Sequence, residues 1–212
     1  RGTSIKSQPG SEDFAYEAKY VEGQIKELIE TCETVTGKKF DIDKFRETLG
    51  YANEMSLGWQ RVQELNQNSP AVFNALTDGT IYLGVANGFR GLPEGAAYFK
   101  DLVEEMEYRV ENQIGIQEKK KEGTETLDQQ FRLAFVGAPC YPSFRSFNNM
   151  FSDWGGVFVT SSYLWYGSGG SCTGYLFDLD RPLESYAEGQ LLMVREAMDS
   201  MFHQALMLED TA

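Results

Sequence analysis

The stretch "FRLAFVGAPCYPSFRSFNNMFSDWGGVFVTSS", Phe131 to Ser162, decides how this chain is read. Arg132 to Val136 and Gly156 to Thr160 are short apolar runs bounded by glycine and proline, the pattern of buried parallel strands. Residues 143–154 between them have the length and spacing of a helix, so the stretch reads as a β-α-β unit. In open parallel sheets ligands gather beyond the carboxyl ends of the strands. Two segments fall there and are expected side by side: the turn 137–142, "GAPCYP", and the loop 163–174, "YLWYGSGGSCTG".

Gly137, Pro139 and Pro142 make the first of these a rigid lead into a helix, and unpaired N–H groups at a helix start attract anions. No G-x-G-x-x-G and no Walker lysine accompany it, which excludes a nucleotide fingerprint. An anion cradle and a plain strand-to-helix turn both remain open. Cys140 sits in that turn as a metal ligand, as a thiolate whose pKa a helix start lowers, or as a structural loop residue. The second segment sets Tyr163, Trp165 and Tyr166 among glycines, and such a loop on a rigid scaffold is a common place for binding. The candidate substrate-binding residues are Cys140, Tyr141, Tyr163, Trp165, Ser168, Gly169 and Gly170. Cys140 and Cys172 are the candidate metal ligands, and no catalytic acid or base stands out.

Upstream the period changes. In residues 11–36, Phe14, Ala18, Val21, Ile25, Leu28, Cys32 and Val35 recur at alternating spacings of four and three, a helical stripe on which Cys32 is expected to be buried. Gly37 stops that helix and Asp41 or Asp43 caps a second, antiparallel one with Ile42, Phe45, Leu49, Ala52, Met55, Trp59, Val62 and Leu65 inward. A short helix is expected from Ser69 to Leu76, then a glycine-rich passage in which "TIYLGV" could add a strand. A long helix follows from about Pro93 to Gln113, and after the second loop Asp180 and Pro182 open a last one lined by Leu183, Ala187, Leu191, Val194, Met198, Met201, Ala205 and Leu208.

The division that results is a helical region over residues 1–115, a polar linker over 116–130, and an α/β portion over 131–212. The fold class is α/β: a helical layer followed by a β-α-β-α portion of a doubly wound parallel-sheet domain. Two strands are too few for such a domain, and the chain starts at Arg1, so it is expected to be a fragment of a longer polypeptide.

Composition sets the outer limits. With 42% apolar and 13% aromatic residues the chain can build a core, and it contains no run long enough to span a membrane. The net charge of −13, with no lysine after Lys121, argues against nucleic acid as a general partner. Three scattered cysteines and one histidine make neither a disulfide framework nor a complete metal site, and fit a reducing, cytoplasmic setting.

The segments "RLAFVGAPCYPSFRSFNNMFSDWGGVFVTSSYLW" and "DLDRPLESYAEGQLLMVREAMDSMF" resemble the 2-hydroxyacyl-CoA dehydratase and benzoyl-CoA reductase family. The likeness is greatest to the B-type substrate-binding subunits of ATP-dependent benzoyl-CoA reductases. It implies a helical middle region followed by much of a final α/β domain, and an oxidoreductase acting on an acyl-CoA by low-potential single-electron transfer in anaerobic aromatic degradation. It also implies an iron-sulfur cofactor, a 4Fe–4S cluster whose family ligands lie in regions this chain lacks. The implied partners are an acyl-CoA substrate, a second homologous subunit and an ATP-dependent electron-donating activator, with no nucleic acid or membrane. Two alternatives stand beside this reading: a 2-hydroxyacyl-CoA dehydratase subunit, a lyase, and a non-catalytic acyl-CoA-binding or assembly module.

Overall fold

The computed structural model describes residues 9–116, 129–167 and 175–193, with side chains described as far as Leu164 in the second stretch. Helix α1, Glu12–Thr36, starts where the Ser11 side chain accepts a hydrogen bond from the Phe14 N–H at 3.2 Å. It ends at Gly37, whose left-handed φ of 67° a side chain would strain. Asp41 then caps α2, Ile42–Leu65, by accepting from the N–H groups of Asp43 and Lys44. α3 spans Asp78–Gly88 and α4 spans Pro93–Glu111, with proline at the start of α4 where its missing N–H costs nothing.

α2 and α4 form the heart of the core. Gly58 lets the backbones meet: a Cβ there would lie 2.9 Å from the Cβ of Phe99, and one on Gly95 would lie 2.7 Å from the Met55 sulfur. Trp59 and Phe99, both essentially buried, pack edge to face at 5.5 Å. Farther along, Arg61 bonds Glu107, so the two helices run in the same direction. Each large side chain buried in such a seam contributes about 1.5–3 kcal/mol.

The β-α-β unit forms as expected. β1, Phe131–Phe135, pairs in parallel with β2, Gly156–Ser161, through the crossover helix α5, Phe144–Ser152. The register runs from Phe131 opposite Gly156 to Phe135 opposite Ser161, with an irregularity that leaves Val159 without a partner on β1. Phe158 and Leu164 belong to the same core as Trp59 and Phe99, so sheet and helices share one interior. The chain is mostly helical with a small parallel sheet, compatible with an α/β fold.

Several expectations need correction. "TIYLGV" lies inside α3, and no strand beyond β1 and β2 occurs among the described residues. Residues 69–76 form turns, buried from Ala71 onward, rather than a helix, because two asparagines take over their backbone donors. The Asn66 side chain accepts from Val72 and Phe73 N–H, and the Asn74 side chain accepts from Leu76 and Thr77 N–H. β2 is buried but β1 is not: Phe131 is 59% exposed. Cys32 is exposed, because α2 spends its apolar face on α4 and the far half of α1 is left uncovered. Residues 162–167 after β2 form a short helix, α6 (Ser162–Gly167), instead of opening directly into a loop.

Residues 182–193 are helical (α7), and the segment before them is pinned to α2: the Asn53 side chain donates to the Phe177 carbonyl and accepts from its N–H. Among the described residues no helix is long and apolar enough to cross a membrane.

Candidate functional site

The site grows from the ends of the two strands. After β1 the chain turns at Gly137, whose φ of 120° suits glycine, and its N–H donates to the Ser162 hydroxyl at 2.9 Å. Ser162, 2% exposed, is the first residue of α6, so this bond ties the turn after β1 to the helix after β2. Pro139 is buried behind the turn, and the Cys140 carbonyl accepts from Ser143 N–H to close a single 3-10 turn, Tyr141–Ser143.

The turn delivers Tyr141 to Tyr163. The two hydroxyls are hydrogen-bonded, the rings meet edge to face at 5.9 Å, and Tyr141 also leans on Phe144 at 6.5 Å. Partial burial and then the bond to Tyr163 push the Tyr141 phenol up to about 12. Tyr141 therefore stays protonated through the physiological range. Two hydroxyls joined by one bond spend one proton on each other and leave the second available to an acceptor.

α6 is held from beneath. Leu164, 1% exposed, fills the space over Gly79, where a Cβ would lie 2.6 Å from the Leu164 Cδ1. The helical layer thus sets the height of Tyr163. Asn148 on α5 accepts from the Asn74 side chain at 2.8 Å, which fixes the crossover helix against the same layer. Arg132 closes the frame by donating to the carbonyls of Asn66, Gln67 and Asn68, placing a cation at the C-terminus of α2.

The structure therefore brings Cys140, Tyr141 and Tyr163 to one edge, with Cys140 exposed. Trp165 lies in α6, and its side chain is outside the described residues, as are Ser168, Gly169, Gly170 and Cys172. Sequence reasoning does not find Ser162, Asn66, Asn74 and Asn148 as supports of the site. The available signal is the density of asparagine in "NQNSPAVFN" and the paired Asn148-Asn149 inside a helix, where asparagine has no helical preference.

Cys140 is the only described thiol at this edge, for Cys32 lies near the end of α1. Among the described residues no group of three or more His, Cys, Asp and Glu side chains could hold a metal ion. One thiolate does not make the four-ligand set of a 4Fe–4S cluster, so these residues do not fit that group by themselves.

Away from this edge, a concavity of ≈ 240 Å³ lies between α2, the Arg90-Gly91 turn and α7, walled by Phe45, Phe177 and Tyr186. The rings pack on one another, Phe45 to Tyr186 at 5.5 Å and Phe177 to Tyr186 at 5.8 Å.

A family model described as 2-hydroxyglutaryl-CoA dehydratase, D-component, matches residues 8–206. The chain belongs to this family. It is 35% identical over 173 residues to the B-type subunit of benzoyl-CoA reductase from Thauera aromatica, covering 80% of this chain and 39% of that protein. It is 36% identical over 126 residues to the alpha subunit of (R)-2-hydroxyglutaryl-CoA dehydratase from Acidaminococcus fermentans, covering 58% of this chain and 24% of that protein. A third relative is the (R)-phenyllactyl-CoA dehydratase alpha subunit of Clostridium sporogenes, 30% identical over 137 residues, 65% of this chain and 31% of that protein. The chain thus spans between about a quarter and two fifths of the length of these relatives. In this dehydratase family chain, the matched residues include the whole of the β-α-β unit and the site at its edge.

Proposed function

We propose that the chain is part of a subunit of a benzoyl-CoA reductase-type enzyme, contributing to the pocket for an aromatic acyl-CoA thioester. The observation that carries this reading is the Tyr141–Tyr163 pair beside Cys140, at the carboxyl edge of a parallel sheet in a chain 35% identical to a benzoyl-CoA reductase subunit over 80% of its residues. The unspent phenol proton of the pair donates to a thioester carbonyl oxygen, and the neighbouring rings of Phe144, Tyr141 and Tyr163 offer an aromatic face to the acyl group. In this reading the full-length protein would hold a 4Fe–4S cluster, which would supply single-electron reduction, through ligands outside the described residues. An ATP-dependent activator and a second homologous subunit are the partners, and the setting is cytoplasmic. Residues 1–115 act as a helical middle region, 116–130 as a linker and 131–212 as part of a doubly wound domain whose other strands lie elsewhere in the polypeptide.

The test is an anaerobic assay of the full-length polypeptide with its partner subunit and activator. Benzoyl-CoA should be consumed only when ATP is present, and iron and acid-labile sulfide should accompany the protein. A protein free of iron, or one that ignores benzoyl-CoA, overturns the reading.

Dehydration of a 2-hydroxyacyl-CoA is the second reading, favoured by the dehydratase alpha subunits among the relatives. Loss of water from phenyllactyl-CoA or 2-hydroxyglutaryl-CoA in the same assay would select it. Binding of acyl-CoA without turnover of either class would select a non-catalytic module.

A further inference from the structure

The concavity between α2, the Arg90-Gly91 turn and α7 is built from small residues and rings. α2 gives it Ala52 and Ser56, one helical turn apart, on the face that farther along carries Trp59. Phe45, Phe177 and Tyr186 stand around the space these short side chains leave.

The walls are fixed by bonds that do not involve the cavity. Asn53 holds Phe177 through both its N–H and its carbonyl, at 2.7 and 2.9 Å, and Arg46 Nε donates to the Leu179 carbonyl at 2.8 Å. Gly189 lets the ring of Phe177 close onto α7, for a Cβ there would lie 2.8 Å from it. A ligand therefore meets a preformed slot, which spares the cost of ordering one.

The charge of the lining runs against that of the chain. Against 19 Lys and Arg the sequence carries 32 Asp and Glu, yet among the described residues the cavity is lined by one cation, Arg90, and by no carboxylate. Arg90 is exposed and tied to the end of α3, donating to the Ala86 carbonyl at 3.5 Å and to the Asn87 side chain at 3.4 Å. Ser56, 8% exposed, adds a hydroxyl that makes no hydrogen bond among the described residues. A cleft of one sign with apolar walls concentrates ions of the other sign. Ring walls favour a flat aromatic face, and a guanidinium favours a carboxylate. The volume of ≈ 240 Å³ falls below the roughly 300–1,000 Å³ of sites for drug-sized ligands, so it has room for one ring with a short substituent and none for an acyl-CoA.

We infer that this concavity binds a monocyclic aromatic carboxylate, with the ring against Phe45, Phe177 and Tyr186 and the carboxylate on Arg90, apart from the Tyr141–Tyr163 edge. This inference is independent of the reaction proposed above.

The test is calorimetric titration of the full-length polypeptide with benzoate, in the absence of ATP, activator and acyl-CoA. Benzoate should bind one to one, and cyclohexanecarboxylate and benzyl alcohol, which lack the flat ring and the carboxylate in turn, should each bind more weakly. Arg90→Gln should weaken benzoate about tenfold or more, the loss expected of a charge-assisted hydrogen bond. Arg90 is exposed, so circular dichroism of that variant should match the parent. Ala52→Leu should fill the slot and abolish binding, and Tyr163→Phe should leave binding unchanged. No heat of binding at millimolar benzoate overturns the inference, as does equal affinity for cyclohexanecarboxylate or indifference to Arg90→Gln. Loss of binding in Tyr163→Phe moves the acid to the strand edge and overturns it as well.

Discussion

The amide of Asn74 donates to the side-chain oxygen of Asn148 at 2.8 Å, with both residues 1% exposed. This bond joins a turn of the helical layer to the crossover helix of the β-α-β unit. Asn148→Ala removes the acceptor of this buried bond, which should cost about 1–3 kcal/mol. Urea denaturation of Asn148→Ala, Asn74→Ala and the double variant checks this: the pair should show a coupling of about 0.5–3 kcal/mol. Additive losses would mean the two sites act separately.

Two glycines of α3 should respond oppositely to the same change. Gly79→Ala drives a methyl group to 2.6 Å from Leu164, and overpacking of this kind costs about 1–3 kcal/mol. Gly84 has nothing within 4 Å of an added Cβ, so Gly84→Ala should stabilise by about 0.5–1 kcal/mol through helix propensity. Paired denaturation curves read both, and Leu164→Ala should relieve the first.

Gln63 is 6% exposed and its side-chain nitrogen has no hydrogen-bond partner. Gln63→Met fills the same volume without a polar atom and should raise stability by about 1–3 kcal/mol, the range for an unsatisfied buried group. A fall in Tm would show that the amide is satisfied in solution, for instance by water.

The Tyr141 phenol is raised from its ordinary value to about 12 by burial and by Tyr163. Its neutral form is therefore favoured in the folded state, and the stability it adds is complete below about pH 10 and is lost as pH rises through about 12. Tyr141→Phe should flatten the alkaline fall in stability over that window relative to the parent. Ultraviolet titration of Tyr163→Phe should show one phenol moving down from near 12, and an unchanged titration would deny the bond.

The β-α-β unit is legible in the sequence because glycine and proline bracket two apolar runs, and α2 and α4 are legible because their inward residues keep one period over several turns. α3 is not: glycines at 79, 84 and 88 look like loop, and only the packing of Leu164 over Gly79 explains the first of them. The turn at 69–76 looks helical in sequence because its order comes from side-chain amides, which leave no periodic trace. At the site, proximity of Tyr141 and Tyr163 follows from the strand ends, but the hydrogen bond from Gly137 to Ser162 that enforces it depends on geometry alone. The period of α1 is plain in its residues, whereas the exposure of its far half is not.

The carbonyl of Phe158 accepts from Ala75 N–H at 2.6 Å and that of Val159 from the Asn66 amide at 2.8 Å. β2 has thus committed its outer rim to the helical layer, whereas β1 has only β2 beside it among the described residues. A sheet built in this way can grow in one direction only. Any strand that joins it must enter alongside β1, next to the exposed Phe131, and cannot reach the rim where Asn66 and Ala75 are already bound.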